Sequence, residues 1–499
     1  MTTATLPTYT HNASGWAQHT STNCFSGRGA TSLTGNLAPG FNFTVERCET
    51  ACLAHAGCTA ICLGPAKPKP PAPPPGPPAP PPTPDAPMQR VLIPPESVQE
   101  HGAACLSGAP PNYEVRRNTS SARWIIFLEG GGWCFGNTTN ATVKLCAAHA
   151  GLKPHMKGWA EEGGRTSRGA LYGGFLSGDR GINPDFYTWN AVYVPNCNFA
   201  SFASSRPDPV VIPGGASNGS DAKIFLRGRN TFDAVIADLL GRQNMSQATD
   251  VILSGGSSGG LGVLYNIDHL ATLLPKPGPR LTGFADAGFF MGEASYVADM
   301  RGGDAVWNIT GSGSTNRNCL AAYPATEQWK CLLAPYLLEH IEADLYLMNS
   351  AYDAWQLENE CLDSDGRPCV NGRGSPPVNT PATQAYGVAL KAAVWTALAA
   401  KTSGRNGCFI DSCFVHQQNI GACWAQKDGA FPNCVGWSPG GPGALRYHYW
   451  TAIKSNVTGD LLTPRQAFSR YYFSNGSSPD SMLIDQELLQ TNPSCIYGT

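Results

Sequence analysis

Short apolar runs alternate along most of the chain with segments in which apolar residues recur at helical spacing. The helical stripe is clearest over residues 229–240, and Gly241 is placed to end that helix. A second predicted helix is alanine-rich and covers residues 382–401. Strands alternating with helices predict a doubly wound, mainly parallel α/β sheet over residues 88–499. The predicted buried strands lie at residues 124–128, 191–194, 251–253, 281–285, 345–348 and 408–410.

A proline tract interrupts the chain before this region. Of the 23 residues from 65 to 87, 14 are proline. Proline removes backbone donors and favours the extended polyproline helix, so such a tract cannot build a packed core. The composition therefore predicts a semi-rigid linker over residues 63–87, between a small N-terminal module (1–62) and a large domain (88–499).

The N-terminal module is rich in cysteine. A helix is expected over residues 44–56, which places Cys48 and Cys52 on one face. No Cys-x-x-Cys spacing occurs there, so disulfides are favoured over a zinc site, although five cysteines leave one unpaired. Residues 23–30, 46–52 and 57–60 resemble an apple/PAN-like module, which implies a carbohydrate or protein ligand. The cysteines are Cys24, Cys48, Cys52, Cys58 and Cys62.

Charge and cysteine content limit the function classes. The 499 residues carry 34 basic and 36 acidic side chains, which argues against a nucleic-acid partner. No run approaches 18 apolar residues, so no membrane span is expected. Eighteen cysteines and ten Asn-x-Ser/Thr sequons indicate an oxidising, secretory environment. We therefore expect a secreted protein, extracellular or in a cell wall, although residues 1–16 show no signal-peptide pattern.

The chemistry centres on the glycine-rich segment 251–262. An apolar strand runs into a Gly-x-Ser-x-Gly turn, and a helical segment follows. This order is typical of the nucleophile elbow of α/β-hydrolases, although a plain glycine-rich loop has a similar composition. The turn can be centred on Ser257 or on Ser258, and the length of the strand favours Ser257.

A serine nucleophile needs a histidine base and a carboxylate to orient that base. In α/β-hydrolases the order along the chain is serine, acid, histidine. His416 follows a short strand and a loop, as expected for the base, whereas His269 and His448 lie in helix-like segments where packing explains them better. Asp353 follows the predicted strand 345–348. Asp286 also lies at a strand end and is the alternative acid, but chain order favours Asp353.

Residues 129–134 contain three consecutive glycines directly after a strand. Such loops present backbone N–H groups to the negative oxygen of an ester-hydrolysis intermediate. Gly131 and Gly132, with the N–H of Ser258, are therefore the predicted oxyanion hole. Neither glycine loop has the Lys-Ser/Thr ending of a phosphate-binding loop. We expect no cofactor and no metal ion.

These motifs together resemble the pectin acetylesterase family, whose animal relatives are the Notum carboxylesterases. The similarity runs in order over roughly residues 90–450, and it implies Ser257, Asp353 and His416 as nucleophile, acid and base. Gly256 and Ser258 replace the family's usual cysteine and alanine, and Asn198–Phe199 replaces its Asp-Gly. The matching segments are residues 127–134, 183–186, 189–190, 225–228, 255–260, 286–290, 351–353 and 412–416.

The resemblance implies a secreted serine esterase that removes acetyl groups from a cell-wall polysaccharide. One alternative is a Notum-like enzyme that removes a fatty acyl group from a protein, which would require a deep apolar pocket. Another is a relative without activity that binds carbohydrate or matrix. The complete set of serine, histidine, aspartate and glycine-loop residues argues against this second alternative.

Overall fold

The computed structural model describes residues 25–26, 60–61, 87–151, 173–216, 219–370, 380–419 and 452–489. The chain forms two compact units, Met1–Pro81 and Pro82–Thr499. In the first unit, β1 (Phe25–Ser26) pairs antiparallel with β2 (Ala60–Ile61). The helix expected over residues 44–56 and the linker up to residue 86 lie outside the described residues. The apple-like module and the boundaries at residues 62 and 88 therefore remain predictions.

The described residues of the second unit contain thirteen strands. Nine of them form one sheet, in the order β15-β12-β11-β10-β9-β5-β6-β4-β3, and β7–β8 and β13–β14 are separate antiparallel pairs. The strands are β3 (Gln89–Leu92), β4 (Asn112–Arg116), β5 (Arg123–Leu128), β6 (Asn190–Val194), β7 (Val210–Ile212), β8 (Ala222–Ile224), β9 (Asp250–Gly256), β10 (Arg280–Asp286), β11 (Asp344–Ser350), β12 (Asn406–Asp411), β13 (Ile453–Lys454), β14 (Leu461–Leu462) and β15 (Met482–Ile484).

Helices connect the strands and cover the sheet. Within the described ranges, none of them combines the length and the hydropathy needed to cross a bilayer. The α-helices are α1 (Pro95–His101), α2 (Thr139–His149), α3 (Gly228–Gly241), α4 (Ser258–Leu273), α5 (Ala294–Trp307), α6 (Ile309–Ser312), α7 (Arg317–Ala322), α8 (Ala334–Leu337), α9 (Ala354–Asn359), α10 (Pro381–Ala400) and α11 (Pro464–Phe473).

The central strands are buried on both faces, which explains why they are continuous apolar runs in the sequence. Alternate residues point to opposite faces, so Ile126 and Leu253 pack in one core while Phe127 and Ile252 pack in the other. Helices α3, α4 and α10 cover the first face, and α11 covers the second. The predicted α/β-hydrolase-like fold is therefore confirmed, and the six predicted strands and the helices predicted at residues 229–240 and 382–401 have counterparts. The helix-like segment around His448 lies outside the described residues.

One edge of the sheet differs from the parallel remainder. Strands β5, β6, β9, β10, β11, β12 and β15 are mutually parallel, whereas β4 pairs antiparallel with both β6 and β3. Neither β3, which is the edge strand, nor its neighbour β4 was among the strands predicted from the sequence.

Disulfides tie several loops of this unit. Cys413 is also disulfide-bonded, and Cys408, inside β12, is a buried free thiol whose pKa burial raises to about 12. A thiol with such a pKa is unreactive at neutral pH. The pairs between described residues are Cys105–Cys197, Cys134–Cys146, Cys319–Cys331 and Cys361–Cys369.

The second core depends on Phe468 of α11, whose ring stacks on Phe284 with centroids 4.1 Å apart. We expect Phe468→Ala to lower the free energy of unfolding by about 3–5 kcal/mol, because it leaves a cavity between α11 and the sheet. Phe473 ends the same helix and is 52% exposed. Phe473→Ala should cost about 1 kcal/mol or less in the same urea titration. Equal losses for the two variants would contradict this account of the core.

Candidate active site

The candidate residues follow the carboxyl ends of neighbouring parallel strands. Ser257 follows β9, Asp353 follows β11, His416 follows β12, and the glycine loop follows β5. These four strands and β10 are consecutive in the sheet. The carboxyl ends of parallel strands meet at one edge, where open α/β sheets bind ligands. Positions nearly 300 residues apart in the chain are thereby brought together.

Ser257 occupies a tight turn between β9 and α4. Its backbone dihedrals are φ 57° and ψ −127°, a conformation that residues with a side chain rarely adopt. The turn is held by the Ser257 N–H, which donates to the main-chain oxygen of Asp286 at 2.9 Å. Close packing also requires glycine at 259, where a Cβ would lie 2.1 Å from the Leu128 oxygen. The turn therefore projects the serine side chain beyond the end of the strand.

Ser257, His416 and Asp353 form one hydrogen-bonded series. The His416 Nε2 lies 2.8 Å from the Ser257 Oγ, and the His416 Nδ1 lies 2.8 Å from the Asp353 Oδ2. Asp353 is fully buried, and Ser257 and His416 are only 5% and 6% exposed. An imidazole in this position can take the proton of a serine hydroxyl, and a carboxylate on its other nitrogen stabilises the resulting cation.

Asp353 also caps α9. Its Oδ1 accepts the backbone N–H groups of Trp355 and Gln356, at 2.9 and 3.0 Å. These bonds fix the carboxylate by the helix to which it belongs, so its orientation toward His416 does not depend on the histidine alone. Asp353 is therefore a helix cap residue, and the same carboxylate also contacts His416.

The glycine loop passes directly over the serine. A Cβ on Gly130 would lie 3.0 Å from the Ser257 Cβ, and Gly131 and Gly132 adopt φ values of 115° and 78° that favour glycine. Gly131 is exposed, and the space beside Gly132 is open to 4 Å. Within the described part of the chain, no hydrogen bond uses the N–H groups of Gly131, Gly132 or Ser258. All three remain available to a ligand oxygen.

Asn196, which the sequence did not single out, connects the two parts of this N–H cluster. Its Nδ2 donates to the Gly130 oxygen at 3.1 Å and to the Ser258 Oγ at 3.3 Å, and its own N–H donates to the Glu129 Oε2. Ser258 is fully buried and its hydroxyl accepts the Asn196 Nδ2, so this hydroxyl makes a structural contact. The position of Asn196, two residues after β6, is the signal that could have indicated it, because functional residues collect at strand ends.

The structure explains why glycine precedes the serine. A Cβ on Gly256 would lie 2.8 Å from the Gln417 Oε1, and a Cβ on Gly130 would lie 3.0 Å from the Gln417 Nε2. The Gln417 side chain therefore occupies the space between the turn and the glycine loop. A side chain at position 256 would compete with Gln417 for that space.

The loop after Cys197 carries three residues other than glycine with positive φ: Phe199, Ser201 and Phe202. Phe199, at φ 49°, occupies the position where the resemblance expects glycine, which adopts this conformation without strain. Its ring stacks on His149 with centroids 4.3 Å apart and lies 4.0 Å from a Cβ built on Gly131. The substitution thus places an aromatic ring behind the glycine loop.

An aromatic cluster borders the site, formed by Trp133, Phe290, Tyr296 and Trp355. The Trp133 ring centroid lies 4.9–5.6 Å from the centroids of the other three. Trp133 follows Gly132, and Trp355 lies two residues after Asp353. Trp133, Phe290 and Tyr296 are at most 5% exposed, so these rings are packed in the interior and the cluster adjoins the glycine loop through Trp133.

The residues that the sequence offered as alternative acid and base do not take part in the hydrogen-bonded series of Ser257, His416 and Asp353. Asp286 has no hydrogen bond to His416; its carboxyl accepts the N–H groups of Gln418 and Asn419, and burial raises its pKa to about 8. His269, in α4, contacts Asp233 at 2.7 Å. His448 lies outside the described residues. Within the described part of the chain, no group of three or more His, Cys, Asp or Glu side chains could hold a metal ion.

Comparison with known proteins places this arrangement in a family context. A family model described as pectinacetylesterase matches residues 86–433. Pectin acetylesterase 5 from Arabidopsis thaliana is 30% identical over 337 residues, which are 64% of this chain and 72% of the relative. The palmitoleoyl-protein carboxylesterase NOTUM of Schmidtea mediterranea is 28% identical over 272 residues, 51% of this chain and 47% of the relative.

A solved structure supports the same fold. The crystal structure of the Wnt deacylase Notum from Drosophila aligns with a TM-score of 0.58. The alignment covers 82% of this chain and all of that chain, at 21% identity. At this identity the likeness establishes the α/β fold alone.

The glycines of the turn yield a test of its packing. A Cβ at position 259 meets main-chain oxygen, which cannot move aside, whereas a Cβ at 256 meets the flexible end of Gln417. Gly259→Ala should therefore lower the Tm by at least about 5 °C, and Gly256→Ala by less than about 2 °C. Differential scanning fluorimetry of the two variants measures both shifts. A Gly259→Ala protein as stable as the Gly256→Ala protein would refute the described packing.

Proposed function

The chain belongs to the pectinacetylesterase family, and we propose that it is a serine esterase that removes acetyl groups from an extracellular polysaccharide. It is a carboxylic ester hydrolase by family membership. The observation that carries the serine mechanism is the series Ser257–His416–Asp353, joined by two contacts of 2.8 Å. In this proposal Ser257 is the nucleophile, His416 the base and Asp353 the residue that orients the base.

The proposed reaction has two stages. The Ser257 oxygen attacks the ester carbonyl while the His416 Nε2 takes its proton, and the protonated histidine then gives that proton to the departing sugar oxygen. Water then attacks the acyl-serine while His416 takes its proton, and the protonated histidine returns that proton to the Ser257 oxygen as acetate departs. The N–H groups of Gly131, Gly132 and Ser258 stabilise the negative oxygen in both stages. Among the described residues, none of the three has a hydrogen-bond partner that would compete with it.

The aromatic cluster supports a small acyl group. Trp133, Phe290 and Tyr296 pack against one another beside the glycine loop and are nearly inaccessible. A long acyl chain placed there would have to separate these rings, whereas an acetyl methyl group requires little room. The cluster thus favours acetyl esters over the fatty acyl ester named for the NOTUM relatives.

Extracellular action fits the disulfides and the names of the relatives. Four disulfides join described residues, and such bonds persist in oxidising compartments. The plant relatives are pectin acetylesterases, which makes an acetylated cell-wall polysaccharide the first substrate to examine. The proposed ligand of residues 1–62 is a carbohydrate or a protein, on the basis of their apple-like cysteine pattern.

Replacement of each of the two adjacent serines by alanine tests the mechanism. Ser257→Ala should lower kcat on 4-nitrophenyl acetate by roughly four to six orders of magnitude, because it removes the nucleophile. Ser258→Ala should change kcat by less than about tenfold, since it removes only the contact with Asn196 and keeps the backbone N–H. If Ser258→Ala were the inactive variant, the nucleophile would be Ser258 and the assignment would be wrong.

A second assay addresses the substrate. The protein should hydrolyse 4-nitrophenyl acetate at least about tenfold more efficiently than 4-nitrophenyl palmitate, as kcat/KM, because the aromatic cluster disfavours long chains. It should also release acetate from at least one of acetylated pectin, xylan and chitin fragments, with Ser257→Ala as the inactive control. A preference for palmitate would support a fatty acyl substrate, and failure to hydrolyse any of these esters would overturn the proposed function.

A further inference from the structure

Asp286 contacts both halves of the site although it belongs to neither. It is fully buried at the end of β10, between β9, which leads to Ser257, and β11, which leads to Asp353. Its main-chain oxygen accepts the N–H of Ser257 at 2.9 Å. Its Oδ2 accepts the N–H groups of Gln418 and Asn419 at 2.6 and 2.7 Å. One residue therefore holds the serine by its main chain and the residues after the histidine by its side chain.

The segment that carries His416 has no regular secondary structure of its own. After β12 ends at Asp411, residues 412–419 form turns and irregular backbone. Contacts from surrounding elements therefore fix its position, and two of them are main-chain bonds: the N–H groups of Ala354 and Phe175 donate to the Val415 and Asn419 oxygens, at 3.4 and 2.8 Å. Besides the two bonds to Asp286, the Gln418 Nε2 donates to the Asp411 Oδ2 at 2.6 Å, and the Asn419 Nδ2 donates to the Ser254 Oγ at 3.1 Å. The strand anchors of the segment are thus on β9, β10, β11 and β12, and the anchor on β11 is the Ser350 hydroxyl, which donates to the Cys413 oxygen.

We propose that Asp286 is a positioning residue of the esterase, which sets the distance between the Ser257 hydroxyl and the His416 imidazole. The inference rests on the proposed catalytic roles of those two residues. Gln418 lies two residues after His416, so a shift of its backbone is transmitted to the imidazole with little loss. Because Ser257 is held by the same residue, the two reacting side chains share one reference point.

The protonation of Asp286 makes the amide a suitable replacement. Burial raises the pKa of its carboxyl to about 8, and the negative charges of Asp353 and Asp411 act in the same direction, while the two backbone N–H groups oppose them. The carboxyl is therefore mainly neutral at pH 7. In the described structure its Oδ1 has no hydrogen-bond partner. An asparagine can keep the accepting oxygen in place and put its NH2 group at the Oδ1 position.

Three variants of the full chain test the proposal. Asp286→Ala removes the acceptor of two buried N–H groups and should lower kcat on 4-nitrophenyl acetate by about 30- to 100-fold, with KM within about threefold, since misplacement by an ångström has effects of this size. Asp286→Asn should retain kcat within about fivefold. The rate constant for labelling of Ser257 by a fluorophosphonate should fall in parallel with kcat, because it reports the same serine and histidine.

Glu360→Ala is the matched control. Glu360 is also fully buried, has a pKa raised by burial to about 8, and accepts two backbone N–H groups, those of Gly292 and Glu293, at the start of α5. Its loss should lower the Tm by an amount similar to that of Asp286→Ala, but leave kcat within about threefold of the wild-type value. Comparison of the Asp286→Ala and Glu360→Ala variants therefore separates an effect on stability from an effect on the positions of the reacting side chains.

Each outcome either supports or overturns the positioning role of Asp286. A wild-type kcat for Asp286→Ala, or an equal loss of kcat in Glu360→Ala, would overturn the positioning role while the esterase function stands. An inactive wild-type protein would instead overturn the proposed function and, with it, this inference. If Asp286→Ala does not fold, Asp286→Ser provides the same comparison, because its shorter side chain cannot accept both N–H groups. Failure of Asp286→Asn to restore kcat would also contradict the proposal.

Discussion

The backbone turn at Ser257 is the constraint on which the rest of the site depends. A residue with a side chain is held at φ 57° and ψ −127°, and its neighbours hold it there. The strand before it, the helix after it and the adjacent strand approach so closely that Gly259 and Gly260 leave no room for a Cβ. The strain is therefore offset by the packing of β5, β9, β10 and α4, which are among the most deeply buried elements of the fold.

Much of this could be predicted from the sequence because the signals are local. Buried parallel strands are continuous apolar runs, and the turn, the glycine loop, Asp353 and His416 each follow closely after such a run. Residues at the carboxyl ends of adjacent strands lie close together, so their proximity can be predicted without knowledge of side-chain contacts. The predicted α/β fold is confirmed for the same reason, while the chemical roles of these residues remain proposals.

The contacts that could not be predicted from the sequence all join positions that are far apart in the chain. Asn196 joins the glycine loop to Ser258 across 62 residues, and Asp286 reaches Gln418 across 132. Gln417 fills the space next to Gly256, so the reason for a glycine at position 256 is clear only when the two residues are seen together. An asparagine or aspartate at a strand end is ordinarily a turn or cap residue, so no local pattern separates these from many similar ones. Strands β3 and β4 were not predicted, and their antiparallel direction is a property of the whole sheet.

The order of the elements along the chain has a consequence for biosynthesis. His416 follows Ser257 by 159 residues and lies on the segment that follows β12. At a synthesis rate of about 5–20 residues per second, roughly 8–32 s separate the emergence of the serine from that of the histidine. In the proposed mechanism, the nascent chain holds the nucleophile without its base during that interval. No hydrolytically competent intermediate therefore exists before His416 has been synthesised.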